Sequence, residues 1–205
     1  AKGVIRVQTC HHAGMSAKSP AFELNTSEDN MSVTETDELI TIASGDLSLE
    51  ITKLPWSMTY KHKGRVLSKS GRKDLALMKT DWKGYAYDKG DYTDTYIRQQ
   101  LSMGVGELLY GFGERFTPFV KNGQSIDIFN QDGGTSTEQS YKNIPFYVSN
   151  KGYGVFVNHP EKVSFEVGTE MVTKAEFSVE GSYLDYFFID GPSMKDVLVK
   201  YTDLT

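Results

Sequence analysis

Short runs in which apolar and polar residues alternate fill most of the chain, the period-two pattern of strands that bury one face. Gly3 to Thr9 alternates in this way. Leu39-Ile40-Thr41-Ile42-Ala43 and Leu47-Ser48-Leu49-Glu50-Ile51 read as two strands joined by a tight turn at Ser44-Gly45-Asp46. Trp56 to Lys61 and Val66-Leu67 repeat that unit around Lys63-Gly64-Arg65, so Met31 to Ser70 reads as a series of short strands. Further strands are expected at Asp74–Lys79, Thr95–Met103, Leu108–Phe112, Ile144–Ser149 and Tyr153–Asn158, the last two flanking a hairpin loop at Asn150-Lys151-Gly152. Lys162–Val167, Val172–Val179 and Tyr183–Ile189 complete the set. About a dozen strands without strand–helix–strand alternation predict a mainly β protein, an antiparallel β-sandwich.

The period changes near the end. After Asp190-Gly191-Pro192, apolar residues fall at Met194, Val197, Leu198, Tyr201 and Leu204, the three- and four-residue spacing of a helix that Pro192 and Ser193 suit as a start. We therefore divide the chain into a sandwich over 1–191 and a linker helix over 192–205 that leads toward a further domain. Residues 13–30, rich in Ser, Ala, Asn and acid, read as a long loop, and 81–95 as a surface excursion with no period.

Composition narrows the function. With 39 % apolar residues, 12 Tyr and 11 Phe, the 205 residues fill a sizeable core, which excludes a disordered chain. The net charge is −5 and no stretch is dense in Lys and Arg, so neither nucleic acid nor an anionic membrane is an expected partner. No apolar run approaches the roughly 20 residues of a membrane span. The amino terminus lacks both a signal-peptide pattern and an initiator Met, so a cytoplasmic protein is expected, with a longer precursor or a trimmed chain left open. Asn25-Thr26-Ser27 and Asn30-Met31-Ser32 match the glycosylation sequon, a pattern common by chance. Cys10 is the single cysteine; it forms no intrachain disulfide and reads as a buried, inert thiol.

Candidate chemistry is sparse. His11, His12, His62 and His159 lack the spacing of a metal helix, and no cofactor or metal is expected. Asp88, Asp91 and Asp94 lack the Glu and central Gly of a calcium loop and read as solvated acids. His159, before Pro160, and Gly104-Val105-Gly106 read as turns. Gly111-Phe112-Gly113 reads as a bulged strand where backbones approach closely, with Glu114 and Arg115 in structural ion pairs. The segment 129–147 differs: a polar, Gly-rich loop between aromatic-bearing strands. Carboxylates pair with sugar hydroxyls and aromatic faces stack on sugar C–H surfaces, so this composition suits sugar binding, with a solvated loop as the plain alternative.

Ordered motifs add a resemblance. Tyr110-Gly111-Phe112-Gly113-Glu114-Arg115-Phe116, Asn122-Gly123-Gln124 and the 129–147 segment resemble the amino-terminal domain of family 31 glycoside hydrolases. Tyr153-Gly154-Val155-Phe156-Val157-Asn158-His159-Pro160 and Phe187-Phe188-Ile189-Asp190-Gly191-Pro192 extend the match. Gly133-Gly134-Thr135-Ser136-Thr137-Glu138-Gln139 with Tyr141-Lys142-Asn143-Ile144-Pro145-Phe146-Tyr147 resembles the α-xylosidase branch. The α-glucosidase branch usually carries a Leu-Tyr-Gly type sequence before its Pro-Phe-Tyr.

The resemblance implies a galactose-mutarotase-like β-sandwich, with its first strands missing here, packed against a (β/α)8 barrel. It implies retaining hydrolysis of terminal α-linked xylose from oligosaccharides, through a covalent glycosyl-enzyme. Both catalytic acids would lie in that barrel, so no catalytic residue is assigned in this chain, which alone would be inactive. One substrate contact carries over: Asp132, in Phe129-Asn130-Gln131-Asp132, matches an Asp that hydrogen-bonds the sugar. Phe129, Thr135 and Glu138 would shape the same loop. The implied partners are the barrel and an oligosaccharide, with homo-oligomers left open. A face built to meet a barrel would expose apolar surface, so the domain alone is expected to self-associate. A free-standing carbohydrate-binding module, a purely structural sandwich and α-glucosidase specificity remain the alternatives.

Overall fold

The computed structural model describes residues 2–12, 23–26, 31–82, 92–130, 140 and 142–205. In chain order its first strands are β1 (Val4–Cys10), β2 (Met31–Glu35), β3 (Leu39–Ser44), β4 (Leu47–Thr52), β5 (Ser57–His62) and β6 (Arg65–Gly71). Next come β7 (Leu75–Trp82), β8 (Tyr92–Ser102), β9 (Leu109–Gly113), β10 (Gln124–Ile128) and β11 (Asn143–Ser149). Then follow β12 (Tyr153–Val157), β13 (Val163–Val167), β14 (Lys174–Glu180), β15 (Tyr183–Asp190) and the helix α1 (Met194–Leu204). They form three five-stranded antiparallel sheets, ordered β1-β15-β12-β11-β9, β10-β13-β14-β8-β7 and β2-β3-β4-β5-β6. This is the antiparallel β-sandwich that the period-two pattern predicts, of the galactose-mutarotase-like type that the resemblance implies.

Alternation decides what each sheet buries. Leu49, Tyr60, Leu101, Phe112, Phe165, Phe177 and Phe188, drawn from all three sheets, meet in one continuous core. β15 is buried along its whole length because it is covered twice. Leu184, Tyr186 and Phe188 face the common core, whereas Phe187 and Ile189 face a second cluster beneath α1. That double cover explains why Tyr183–Asp190 reads as a near-continuous apolar run.

α1 starts where the sequence places it. Ser193 caps it in a reciprocal capping box with Asp196, satisfying backbone donors that would otherwise be unpaired. Val197 and Leu204 are buried, and Tyr201 stacks on Phe146 with centroids 4.1 Å apart. The helix can sit this low because Gly154 lies under it: a Cβ there would stand 2.8 Å from Val197 Cγ1. A buried carboxylate also ties it down. Asp190 lies 2.5 Å from His62 Nδ1 and accepts from Lys200 Nζ at 2.9 Å, joining β5, β15 and α1.

The structure corrects several expectations. β7 and β8 run into the expected 81–95 excursion from both sides, pairing Asp81 with Thr93 and Trp82 with Tyr92. Asp88 and Asp91 lie outside the described residues, as do most of 13–30. β10 had no strand expectation; five residues give alternation too little length to stand out, and pairing with β13 decides it. The expected strand at Val172 starts only at Lys174, with Val172 in an exposed turn. Cys10 is half-buried rather than buried, at the end of β1. His159 is more than a turn residue: it is buried, and its Nε2 accepts from the backbone N–H of Asp185 at 3.0 Å. An accepting Nε2 places a neutral ring's proton on Nδ1, which lies 3.0 Å from Glu161 Oε2.

Candidate functional site

The segment that suits sugar binding emerges from one corner of the sandwich, where the ends of β9, β10 and β11 converge. Asp132, Thr135 and Glu138 lie outside the described residues. The points where the chain leaves and returns are well defined. Asn130 and Ser140 form a parallel bridge. Asn143, the first residue of β11, ties that bridge together. Its Nδ2 donates to Phe129 O at 2.9 Å, to Asn130 Oδ1 at 3.0 Å and to Ser140 O at 2.6 Å. Its backbone N–H donates to Asn130 Oδ1 at 3.0 Å.

Arg115 fastens this knot to the sheets. Its Nη2 donates to Asn143 Oδ1 and, at 2.6 Å, to Asp127 O, while Nε reaches Phe112 O at 3.3 Å. Ser140 Oγ donates to Glu114 O, and the Glu114 N–H donates to Lys142 O at 3.0 Å. The expected ion pairing at Glu114 is present, to Lys142 Nζ at 3.4 Å on the exposed surface. Arg115 does something the sequence did not announce: it donates to carbonyls on two strands and to Asn143. The residues missed by sequence reasoning are thus Arg115 and Asn143 as a pair. They are 28 positions apart, so no local spacing links them.

Charges around the knot are shifted. Burial pushes the Lys121 ammonium down, helped by Arg115 nearby; its Nζ donates to Thr117 Oγ1 at 3.0 Å and Pro118 O at 2.8 Å. Burial pushes the Asp127 carboxyl up, but hydrogen bonds from Lys162 and Ser164, with the Lys162 and Arg115 charges, outweigh it and leave it below its ordinary 3.8. A depressed carboxylate contributes stability above its unfolded value and loses it as pH falls through the folded one. Asp127→Asn should therefore destabilise the domain slightly at pH 7, and the deficit should shrink at acid pH as the carboxyl is protonated below its ordinary 3.8. The effect is small because this side chain is 53 % exposed and screened. Urea titrations at the two pH values check it; a deficit unchanged at low pH refutes the ionic origin.

Beside the knot lies an apolar groove of about 240 Å³, lined by Leu24, Ile144, Pro145, Phe156 and Tyr201. Met194, Leu198 and Val199 of α1 are exposed. Phe116, Phe119 and Phe129 also stand out from the surface, at 68 %, 79 % and 51 % exposure. Among the described residues, no group of three or more His, Cys, Asp or Glu is arranged to hold a metal ion.

The family model for the glycosyl hydrolase 31 N-terminal galactose mutarotase-like domain matches residues 1–166. The chain belongs to that family. The family-31 domain is 43 % identical to the α-xylosidase XylQ of Lactiplantibacillus pentosus over 95 % of its own length and 24 % of the relative's. It is 44 % identical to an α-xylosidase of Emericella nidulans, over 100 % of this chain and 28 % of that protein. The chain thus spans about a quarter of the length of these curated relatives. Solved structures share its fold. A Flavobacterium johnsoniae GH31 dextranase superposes with a TM-score of 0.81 at 22 % identity, over 100 % of this chain and 24 % of that one. A GH31 α-xylosidase from a soil metagenome, complexed with xylose, gives 0.76 at 14 % identity, over 100 % and 31 %.

Proposed function

We propose that this chain is the non-catalytic amino-terminal sandwich of a retaining α-xylosidase, which hydrolyses terminal α-linked xylose from oligosaccharides. The observation that carries this reading is the 43–44 % identity to two α-xylosidases over nearly the whole chain.

In this reading the sandwich does two things. Its corner at the ends of β9, β10 and β11 holds the loop bearing Asp132 at the mouth of a (β/α)8 barrel, where the carboxylate accepts hydrogen bonds from the sugar. The groove beside it and the exposed face of α1 give apolar surface for the barrel to cover, with α1 leading into it. The nucleophile and the acid come from the barrel, and the domain needs no cofactor of its own. Without the barrel, Asp132 would compete with water for sugar hydroxyls, and a hydrogen bond exchanged for one to water adds little affinity.

The test is release of nitrophenol from α-xyloside and α-glucoside substrates by the 205-residue chain and by a protein extended through the barrel. Activity is expected in the extended protein alone, with the xyloside preferred. Turnover by the 205-residue chain would place the catalytic acids within it and overturn the reading. A second reading, a sugar-binding module, draws on the exposed Phe116, Phe119 and Phe129. It predicts that the isolated chain binds xylo- or gluco-oligosaccharides in calorimetry, where the first reading expects no measurable heat.

A further inference from the structure

We propose that α1 is a latched helix, a unit that opens and closes on an otherwise complete sandwich and is held shut by Asp190 through Lys200. The proposal concerns the folded domain alone and stands apart from the reading of its activity.

Packing separates this helix from the rest of the fold. Among the described residues, those of α1 have no place in the common core. The helix rests on β11, β12 and β15, over the second cluster of Val4, Phe146, Val148, Phe156, Phe187 and Ile189. The common core lies on the other side of β15, so lifting α1 leaves the packing of the three sheets intact. The helix's own apolar hold is modest. Val197 and Leu204 are buried, whereas Met194, Leu198 and Val199 are exposed. A helix of 11 residues is too short to persist alone in water. Once lifted it unwinds, and its backbone amides meet solvent.

Polar contacts from distant parts of the chain hold it down. Asp190 is fully buried at the end of β15. Lys200 Nζ donates to its Oδ1 at 2.9 Å and to its backbone oxygen at 2.7 Å, while His62 Nδ1 stands 2.5 Å from its Oδ2. Gly3 makes room for the pair. Its φ is 79°, and a Cβ there would overlap both Lys200 Nζ and Asp190 Oδ1. Its N–H donates to Ser44 O at 3.0 Å and its carbonyl accepts from Asp190 N at 2.9 Å, so the seat of the latch belongs to the sheets. A buried carboxylate that loses a cationic partner is costly unless water reaches it. Lifting α1 takes Lys200 away and admits water together. Removing the Lys200 charge alone strands Asp190 in the closed state and favours opening. A second contact closes the far end of the helix. Asn25 donates its backbone N–H to Leu204 O at 2.9 Å and its Nδ2 to Asp203 O at 3.3 Å, carbonyls without partners inside the helix.

The experiment is residue-resolved amide hydrogen exchange on the 205-residue chain and two variants. In the parent, the amides of Val197–Leu204 should exchange at least about 10-fold faster than those of β14, because a local opening needs less free energy than global unfolding. Lys200→Met, which keeps the stem and removes the charge, should speed the helix amides about 10- to 100-fold, the scale of stranding a carboxylate whose partner is partly exposed. Leu101→Ala opens a cavity in the common core opposite Ala175 of β14. It should speed the β14 amides at least about 10-fold and leave the helix amides within about 3-fold of the parent, since opening α1 does not disturb that cavity. Helix amides that speed in step with β14 in Leu101→Ala would mean that α1 opens only as the whole domain unfolds, and overturn the proposal. Helix amides unchanged in Lys200→Met would show that Asp190 is no latch. A Lys200→Met chain that fails to fold would make the pair part of the global core and overturn it as well.

Discussion

Phe188→Ala is expected to lower stability by about 4 kcal/mol, the largest effect of any single truncation in the core. Phe188 is fully buried on the inner face of β15. Its ring stacks on Tyr60 with centroids 3.9 Å apart and on Tyr153 at 4.9 Å, so it links β5 of the third sheet to β12 of the first. Tyr60 is fixed on its other side by a 2.8 Å hydrogen bond between its hydroxyl and that of Tyr186. Rings held this way cannot collapse into the space left by alanine, so the cavity remains and its cost adds to the lost transfer energy. For a domain of this size the thermal midpoint should fall by roughly 8–16 °C. Phe188→Leu, which keeps most of the volume, should cost less than half as much. A Phe188→Ala loss below about 1.5 kcal/mol in urea unfolding would mean that the three sheets do not depend on this stack.

Arg6→Met is expected to cost about 2–3 kcal/mol by stranding a buried carboxylate. Arg6 grips Asp185 with both arms of its fork, Nε to Oδ1 at 2.9 Å and Nη2 to Oδ2 at 2.6 Å. The Asp185 side chain is 2 % exposed. Without Arg6 it would still accept from the Asn158 amide at 2.8 Å. Removing one partner of a fully buried pair costs about 3–5 kcal/mol, and the lower figure here allows for Arg6 being 28 % exposed, so that water can replace part of it. The hydrogen bonds to Asp185 hold the guanidinium above its already high ordinary value, so Arg6 stays charged across the working range. Arg6 also lies over the Phe187 ring at 5.3 Å, a contact methionine would partly keep. Combining Arg6→Met with Asp185→Asn should recover more than half of the loss, because no buried charge remains. Additive losses in that cycle would show that the two residues act separately.

These two sites show where local reading stops. The alternation of Leu47-Ser48-Leu49-Glu50-Ile51 marks β4, and Asn150-Lys151-Gly152 marks the hairpin between β11 and β12, because neighbours in sequence are neighbours in that pair. The helix at Met194–Leu204 follows from its spacing and from Ser193, since capping is a matter of adjacent residues. Family membership is likewise legible in ordered short motifs. The hydrogen bonds by which Arg115 joins Asn143, 28 positions away, were not legible, because no local spacing links the two.

What the sequence by itself determined is the β class, most strand positions, the terminal helix and the family. Only the tertiary structure decided that β15 lies between β1 and β12, that Arg6 meets Asp185 179 residues away, and that Arg115 meets Asn143. The physical reason is the range of the forces. A period-two pattern fixes which face of a strand is apolar but not which strand pairs with it. That choice is made when several sheets bury their faces at once, and side chains far apart in the chain then find the partners that burial obliges them to have.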